Sequence, residues 1–159
     1  MRPSLKLALA AAAVLGLAAL LIVSKRHESE IARGLPPRIL CASRGDAFAQ
    51  ARLGATPILG TGSMSPYIPA ALPGSDPLTT VVAYAVTDPA ANYEGIETGS
   101  LVIYAPGWTK RRVMHQAALH DKGGWIMSGL NNARSENWER VTASNYIGTV
   151  ARVYVWPQK

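Results

Sequence analysis

The chain contains little cysteine, little phenylalanine and few charged residues. Of its 159 residues one is a cysteine, Cys41, and one is a phenylalanine. A single cysteine excludes an internal disulfide framework and a cysteine-based zinc site. Charged residues make up 16% of the chain and hydrophobic residues 48%, a balance that excludes an intrinsically disordered protein.

Motifs for nucleic acids, metals and cofactors are also missing. The net charge of +6 is a small excess for a protein that binds phosphate backbones, and no aromatic-basic pattern accompanies it. The sequence has no metal-ligand cluster, no phosphate-binding loop and no dinucleotide fingerprint. We therefore expect no nucleic acid partner, no metal and no cofactor. The oligomeric state stays open.

One long apolar run lies near the N-terminus. Leu7–Val23 spans 17 residues without a charged or strongly polar side chain. As a helix it would be roughly 26 Å long, and the flanking Lys6 and Lys25 can reach the lipid headgroups. We predict an uncleaved membrane anchor over residues 1–24. The alternatives are a cleaved signal peptide, for which the residues after Val23 fit poorly, and a buried helix, which so small a domain could hardly cover.

The rest of the chain predicts a connector followed by a mostly β domain. Residues 25–56 are interpreted as a juxtamembrane connector with a short helix around Asp46–Leu53. Residues 57–159 alternate between turn formers and short runs rich in β-branched or aromatic residues. Five such runs are predicted strands: Thr79–Val86, Ser100–Tyr104, Arg112–Leu119, Gly124–Met127 and Ile147–Val155. A hairpin turn is predicted between the third run and the fourth.

The most informative segment is Gly60–Pro66, which reads GTGSMSP. Glycines on both sides of Thr61 allow the backbone to approach another group closely. A serine in such a turn presents its hydroxyl and the neighbouring amides for acyl chemistry. A plain Gly/Ser loop is the alternative. The nucleophile elbow of α/β hydrolases does not fit, because no glycine follows two residues after Ser63.

The Ser-Met-x-Pro string resembles the nucleophile box of the type I signal peptidases, whose fold is shared with self-cleaving SOS repressors. Four later segments are similar to further boxes of that family, in the same order: Gly99–Tyr104, Val113–Gln116, Gly129–Asn132 and Ile147–Val150. The second (VMHQ) and the third (GLNN) resemble the boxes of the archaeal and endoplasmic-reticulum branch. The resemblance covers about residues 57–155. It implies a signal-peptidase-type β fold and a serine endopeptidase.

The resemblance also implies a role for individual residues. Ser63 corresponds to the nucleophile and His115 to the general base, because a serine hydroxyl needs a base to take its proton. Glu136 is the predicted third member, which orients the imidazole. The backbone N–H of Ser63 and the hydroxyl of Thr61 are the predicted oxyanion donors. Lys110 is the alternative base, as in the bacterial branch, although it would break the spacing to the GLNN turn.

Three positions depart from the family pattern. Ser100 and Leu130 stand where aspartate is usual, and Gln116 replaces an arginine. These departures support a second hypothesis, a catalytically inactive peptide-binding module of the same fold. A third hypothesis is a self-cleaving, repressor-like regulator, which would need a DNA-binding helical domain where the predicted anchor lies.

The leading interpretation is a membrane-anchored serine endopeptidase. Its expected substrates are signal peptides or one dedicated exported protein, bound as an extended strand with small residues before the cut, as the resemblance implies. The lipid bilayer is then a partner, and the protein is a single-pass membrane protein with residues 25–159 outside the cytoplasm. Loop charge alone slightly favours the opposite orientation, because more basic residues follow the anchor than precede it: Arg2 and Lys6 before it, and Lys25, Arg26, Arg33 and Arg38 after it.

Overall fold

A computed structural model of the protein describes residues 34–52, 54–107, 109, 111–132 and 136–159, of which 136–139 by their backbone. Within these residues the chain forms one helix and eight strands: β1 (Arg38–Leu40), α1 (Arg44–Ala51), β2 (Thr56–Leu59), β3 (Val81–Thr87), β4 (Leu101–Tyr104), β5 (Val113–Asp121), β6 (Gly124–Ser128), β7 (Glu136–Val141) and β8 (Tyr146–Val155). No helix in this part of the chain is long and apolar enough to cross a bilayer. The predicted anchor, residues 1–24, lies outside the described residues.

The strands form a single sheet, which confirms the prediction of a mostly β fold. Their order is β2-β3-β8-β4-β5-β6-β7, with β1 paired to β8 outside this path. Every pairing along the path is antiparallel, whereas β1 runs parallel to β8. Within the described residues β2 therefore has one unpaired edge.

The last strand, β8, connects the two halves of the sheet. Its first half pairs with β4, where Val102 lies opposite Thr149. Its second half pairs with β3 on one edge and with β1 on the other, so that Val155 lies opposite both Ala83 and Leu40. One ten-residue strand thus holds three other strands in register.

The segment after β2 is anchored in the main apolar core. Met64, Tyr67 and Ile68 are buried in a cluster with apolar side chains of β3, β4, β5 and β8. Arg38 of β1 donates to the carbonyl oxygens of Pro66 and Tyr67 at 3.1 and 3.0 Å. This burial and these hydrogen bonds fix the loop that carries Ser63.

Residues 34–56 belong to the same compact unit as the sheet, which begins at Gly34. The predicted helix is present as α1, two residues earlier than expected at each end. It begins at the N-cap Ser43, whose hydroxyl accepts from the backbone N–H of Asp46 at 3.1 Å. Its two buried residues, Ala47 and Ala51, belong to a cluster with aromatic side chains of β3 and of the segment at the end of β8. The predicted boundary at residue 57 therefore separates elements that pack together.

All five predicted strands are present, with ends shifted by up to two residues. The predicted hairpin turn joins β5 to β6, and the N–H of Gly123 donates to a carboxylate oxygen of Asp121 at 2.8 Å. Three strands were not predicted from the sequence: β1, β2 and β7.

Candidate active site

Ser63 lies in the turn that follows β2, between an apolar anchor and an open cavity. Gly62 adopts a φ of 84°, a conformation that side chains disfavour and that glycine adopts readily. The next residue, Met64, is buried in the core, while Ser63 itself is half-buried. The peptide bond between Ser65 and Pro66 is cis. The buried Met64 therefore fixes the backbone next to Ser63, while the Ser63 side chain lies at the surface of a cavity.

The GLNN turn supports the backbone of this loop from the other side. The backbone N–H of Asn131 donates to the carbonyl oxygen of Ser63 at 2.9 Å. The side-chain amide of Asn131 donates to the carbonyl oxygen of Gly62 at 3.3 Å. A Cβ atom on Gly129 would lie 2.7 Å from the Ser63 carbonyl oxygen, so the close approach of these two segments requires glycine there. Two segments that are similar to family boxes thus contact each other directly.

His115 lies in β5 with its imidazole against Ser63. Its Nε2 is 3.1 Å from the Ser63 Oγ, although the two residues are 52 positions apart in the chain. The side chain is 6% exposed. His115 Nε2 is therefore within hydrogen-bond distance of the hydroxyl whose proton a general base would accept.

Tyr104 contacts the other nitrogen of the same imidazole. Its hydroxyl oxygen lies 3.2 Å from His115 Nδ1, and the tyrosine is 0% exposed. The register of β4 and β5 explains this contact, because Val102 lies directly opposite His115 and Tyr104 is its diagonal neighbour on the same face. Sequence reasoning missed Tyr104, because the segment Gly99–Tyr104 was matched as a hydrophobic strand and its tyrosine was given no role.

Thr61, the predicted second oxyanion donor, lies next to the nucleophile. Its Oγ1 is 3.3 Å from the Ser63 Oγ, and either hydroxyl can be the donor. The threonine is exposed. The hydroxyl of Thr61 is therefore within reach of a group bound at Ser63.

A cavity of about 520 Å³ opens over the Ser63–His115 pair. One wall is β2 with the following loop, and the facing wall is the start of β5. Apolar side chains make up much of the lining, and these include Pro57, Ile58, Leu59, Met64, Ile68, Leu78, Val113 and Met114. Its size and apolar lining are typical of sites that bind small or extended ligands.

The other predicted site residues fall in different places. Glu136 begins β7 and lies opposite Met127, and its side chain is outside the described part of the structure, as is Lys110. The three departures from the family pattern have structural contacts. The Ser100 hydroxyl accepts from the Glu97 N–H at 3.0 Å, the Gln116 amide donates to the Gly99 carbonyl at 3.0 Å, and Leu130 packs against the main core.

The described residues hold no group of three or more His, Cys, Asp or Glu side chains that could bind a metal ion. No family model, no curated protein and no solved structure matches the chain. The interpretation of the site therefore depends on the residues themselves and on their geometry.

Proposed function

We propose that this protein is a membrane-anchored serine endopeptidase of the signal-peptidase type, with Ser63 as the nucleophile and His115 as the general base. One observation carries the proposal: the 3.1 Å contact between Ser63 Oγ and His115 Nε2 at the floor of an apolar cavity. The two residues come from segments 52 positions apart. Nucleophile and base within hydrogen-bond distance at a cavity are the arrangement that acyl transfer requires.

The proposed first step moves one proton and forms one bond. His115 Nε2 accepts the Ser63 hydroxyl proton while Oγ attacks the carbonyl carbon of the bound peptide. The carbonyl electron pair moves onto its oxygen, which the Ser63 N–H and the Thr61 hydroxyl stabilise by hydrogen bonds. When the C–N bond breaks, the imidazolium gives its proton to the leaving amine. Water then hydrolyses the acyl-enzyme by the same route.

Tyr104 is proposed to hold the imidazole in the productive tautomer. For Nε2 to accept a proton, Nδ1 must carry one, and this Nδ1–H can donate to the Tyr104 hydroxyl oxygen at 3.2 Å. The same contact persists when the ring becomes an imidazolium. Glu136 keeps its proposed role as the carboxylate that stabilises this cation.

The proposed substrate is an extended segment of an exported protein. The unpaired edge of β2 belongs to a strand that lines the cavity, so a peptide can add to it as a further strand. Main-chain hydrogen bonds to such an edge are independent of the substrate's side chains. Selection between substrates then depends on the side chains that line the cavity.

A serine-reactive fluorophosphonate probe tests the proposal on the full-length chain. We expect the probe to label Ser63, and we expect labelling to be lost in both Ser63→Ala and His115→Ala. A folded protein that binds peptides without labelling would instead be the inactive module. Peptide hydrolysis that survives Ser63→Ala would exclude Ser63 as the nucleophile.

A further inference from the structure

Two arginines line the cavity beside the start of β5. Arg111 and Arg112 are both exposed. The Arg111 guanidinium donates to the carbonyl oxygen of Leu78 at 3.3 Å, and that of Arg112 donates to the hydroxyl of Thr56 at 3.3 Å. The Arg112 guanidinium is therefore held at the start of β2, where Thr56 lies, and the Arg111 guanidinium at the loop before β3, where Leu78 lies.

The described residues supply no negative charge to these arginines at the cavity. Among the described residues that line it, none is an aspartate or a glutamate. The acceptors found for Arg111 and Arg112 in the described part of the chain are a carbonyl and a hydroxyl, both neutral. A guanidinium has five N–H donors, so each arginine keeps donors for a second acceptor. A carboxylate is the group that matches this geometry and charge best.

The position of the arginines sets where such a carboxylate would lie in a bound peptide. Arg112 directly precedes β5 and lies three residues before His115, so their backbones are at most roughly 10 Å apart at 3.3 Å per residue. A peptide that runs alongside β5 in an extended conformation covers the same distance in about three residues. The reacting carbonyl lies at Ser63, next to His115.

We infer that the site selects extended peptides that carry an acidic residue about three positions from the bond to be cut, with apolar residues between them. Arg111 and Arg112 are the specificity-determining residues for this charge. The inference rests on the proposed function, because it takes Ser63 as the point of cleavage. A purely structural role for the arginines, as ties between the cavity walls, is the competing explanation.

Peptide binding to the full-length Ser63→Ala variant tests the inference without requiring catalysis. The probes are a series of fluorescent apolar peptides, each of which carries a single Glu or a single Gln at one position. The series covers every position of the peptide, and binding is measured by fluorescence anisotropy. We expect Glu to strengthen binding up to about fivefold at one position, three residues from the centre, and less at high salt. Replacing both arginines by Gln should abolish this preference, and replacing both by Glu should transfer it to peptides with Lys.

Arg152→Gln is the matched control, because this exposed arginine of β8 does not line the cavity. It removes one positive charge outside the cavity and should leave the preference unchanged. Equal binding of Glu and Gln peptides at every position, or no binding at all, would overturn the inference. So would a preference that the double Gln variant retains. Failure of the proposed function would be observed in a separate experiment, in which a serine-reactive probe does not label Ser63 of the wild-type protein.

Discussion

At the scale of single residues, the proposed activity depends on the pair Ser63 and His115. We expect Ser63→Ala and His115→Ala to abolish peptide cleavage to a similar extent, because without the base the hydroxyl stays protonated. The double variant should be scarcely slower than either single variant, since the two residues act as one unit. Steady-state kcat on a fluorogenic peptide measures this.

Lys110→Ala is the comparison for that prediction, and it should keep most of the activity. An inactive Lys110→Ala together with an active His115→Ala would place the enzyme in the lysine branch and make the alignment of the VMHQ segment wrong.

Tyr104 provides a second test at this scale. Tyr104→Phe removes the hydroxyl that lies 3.2 Å from His115 Nδ1 and leaves a buried N–H without that acceptor. We expect kcat to fall about 10- to 100-fold with little change in KM, which corresponds to the loss of a hydrogen bond to a charged group. Nitrogen-15 NMR of the imidazole should show a larger fraction of the Nε2–H tautomer. An unchanged kcat and tautomer would exclude the positioning role.

The contact of Tyr104 with His115 could not be predicted from the sequence. Both residues lie in strands that the sequence predicts, but their proximity depends on the register of β4 against β5. The connection over residues 105–112 contains Pro106-Gly107, which marks a turn but does not determine which residues of the two strands lie opposite each other. Ser63 and His115, by contrast, were selected by resemblance, and the structure places their side chains together.

At the scale of elements, the missed strands share a physical reason. β1 has three residues, two of them exposed, so no apolar pattern marks it. β2 contains Pro57, which sequence patterns place at edges or outside strands, and here it lies in an edge strand. β7 begins with Glu136 and contains three charged residues among six, which is typical of a loop. In each case pairing with a neighbouring strand overrides a weak local signal.

The contact between the GLNN turn and the Ser63 loop gives a prediction at this scale. Gly129→Ala would place a Cβ atom 2.7 Å from the Ser63 carbonyl oxygen and 2.7 Å from the Asn132 amide nitrogen. The Ser63 loop must then move, and we expect kcat to fall about 100-fold while the protein still folds. Gly107→Ala is the control, because nothing lies within 4 Å of a Cβ there. Equal activity of both variants would show that the turn does not position Ser63.

At the scale of the whole molecule, the chain's one cysteine reports whether residues 34–56 stay attached to the sheet. Cys41 is buried, and burial together with the nearby negative charge of Asp46 raises the pKa of its thiol. Both effects keep the thiolate fraction low at neutral pH. We expect a thiol reagent to modify Cys41 only as the protein unfolds, with the same denaturant midpoint as the tryptophan fluorescence. Rapid modification of the folded protein would mean that this segment detaches from the sheet.

The orientation in the membrane is the second prediction at this scale. The proposed function places residues 25–159 outside the cytoplasm and Met1–Lys6 inside. Protease added to intact spheroplasts should therefore digest the domain, while a cytoplasmic marker protein stays intact. Protection of the domain under these conditions would contradict a role in processing exported chains.

The position of β8 after its partner strands has a consequence for biosynthesis. Strands β1, β3 and β4 are synthesised before Tyr146–Val155, with which each of them pairs. The sheet therefore cannot close until β8 has been translated, because the shared partner does not exist before then. An unclosed nascent chain can still be threaded through a narrow channel, which is compatible with the proposed export of the domain before it folds. Loss of the final strand by a premature stop codon would leave three strands without their common neighbour and the newly made protein open to degradation.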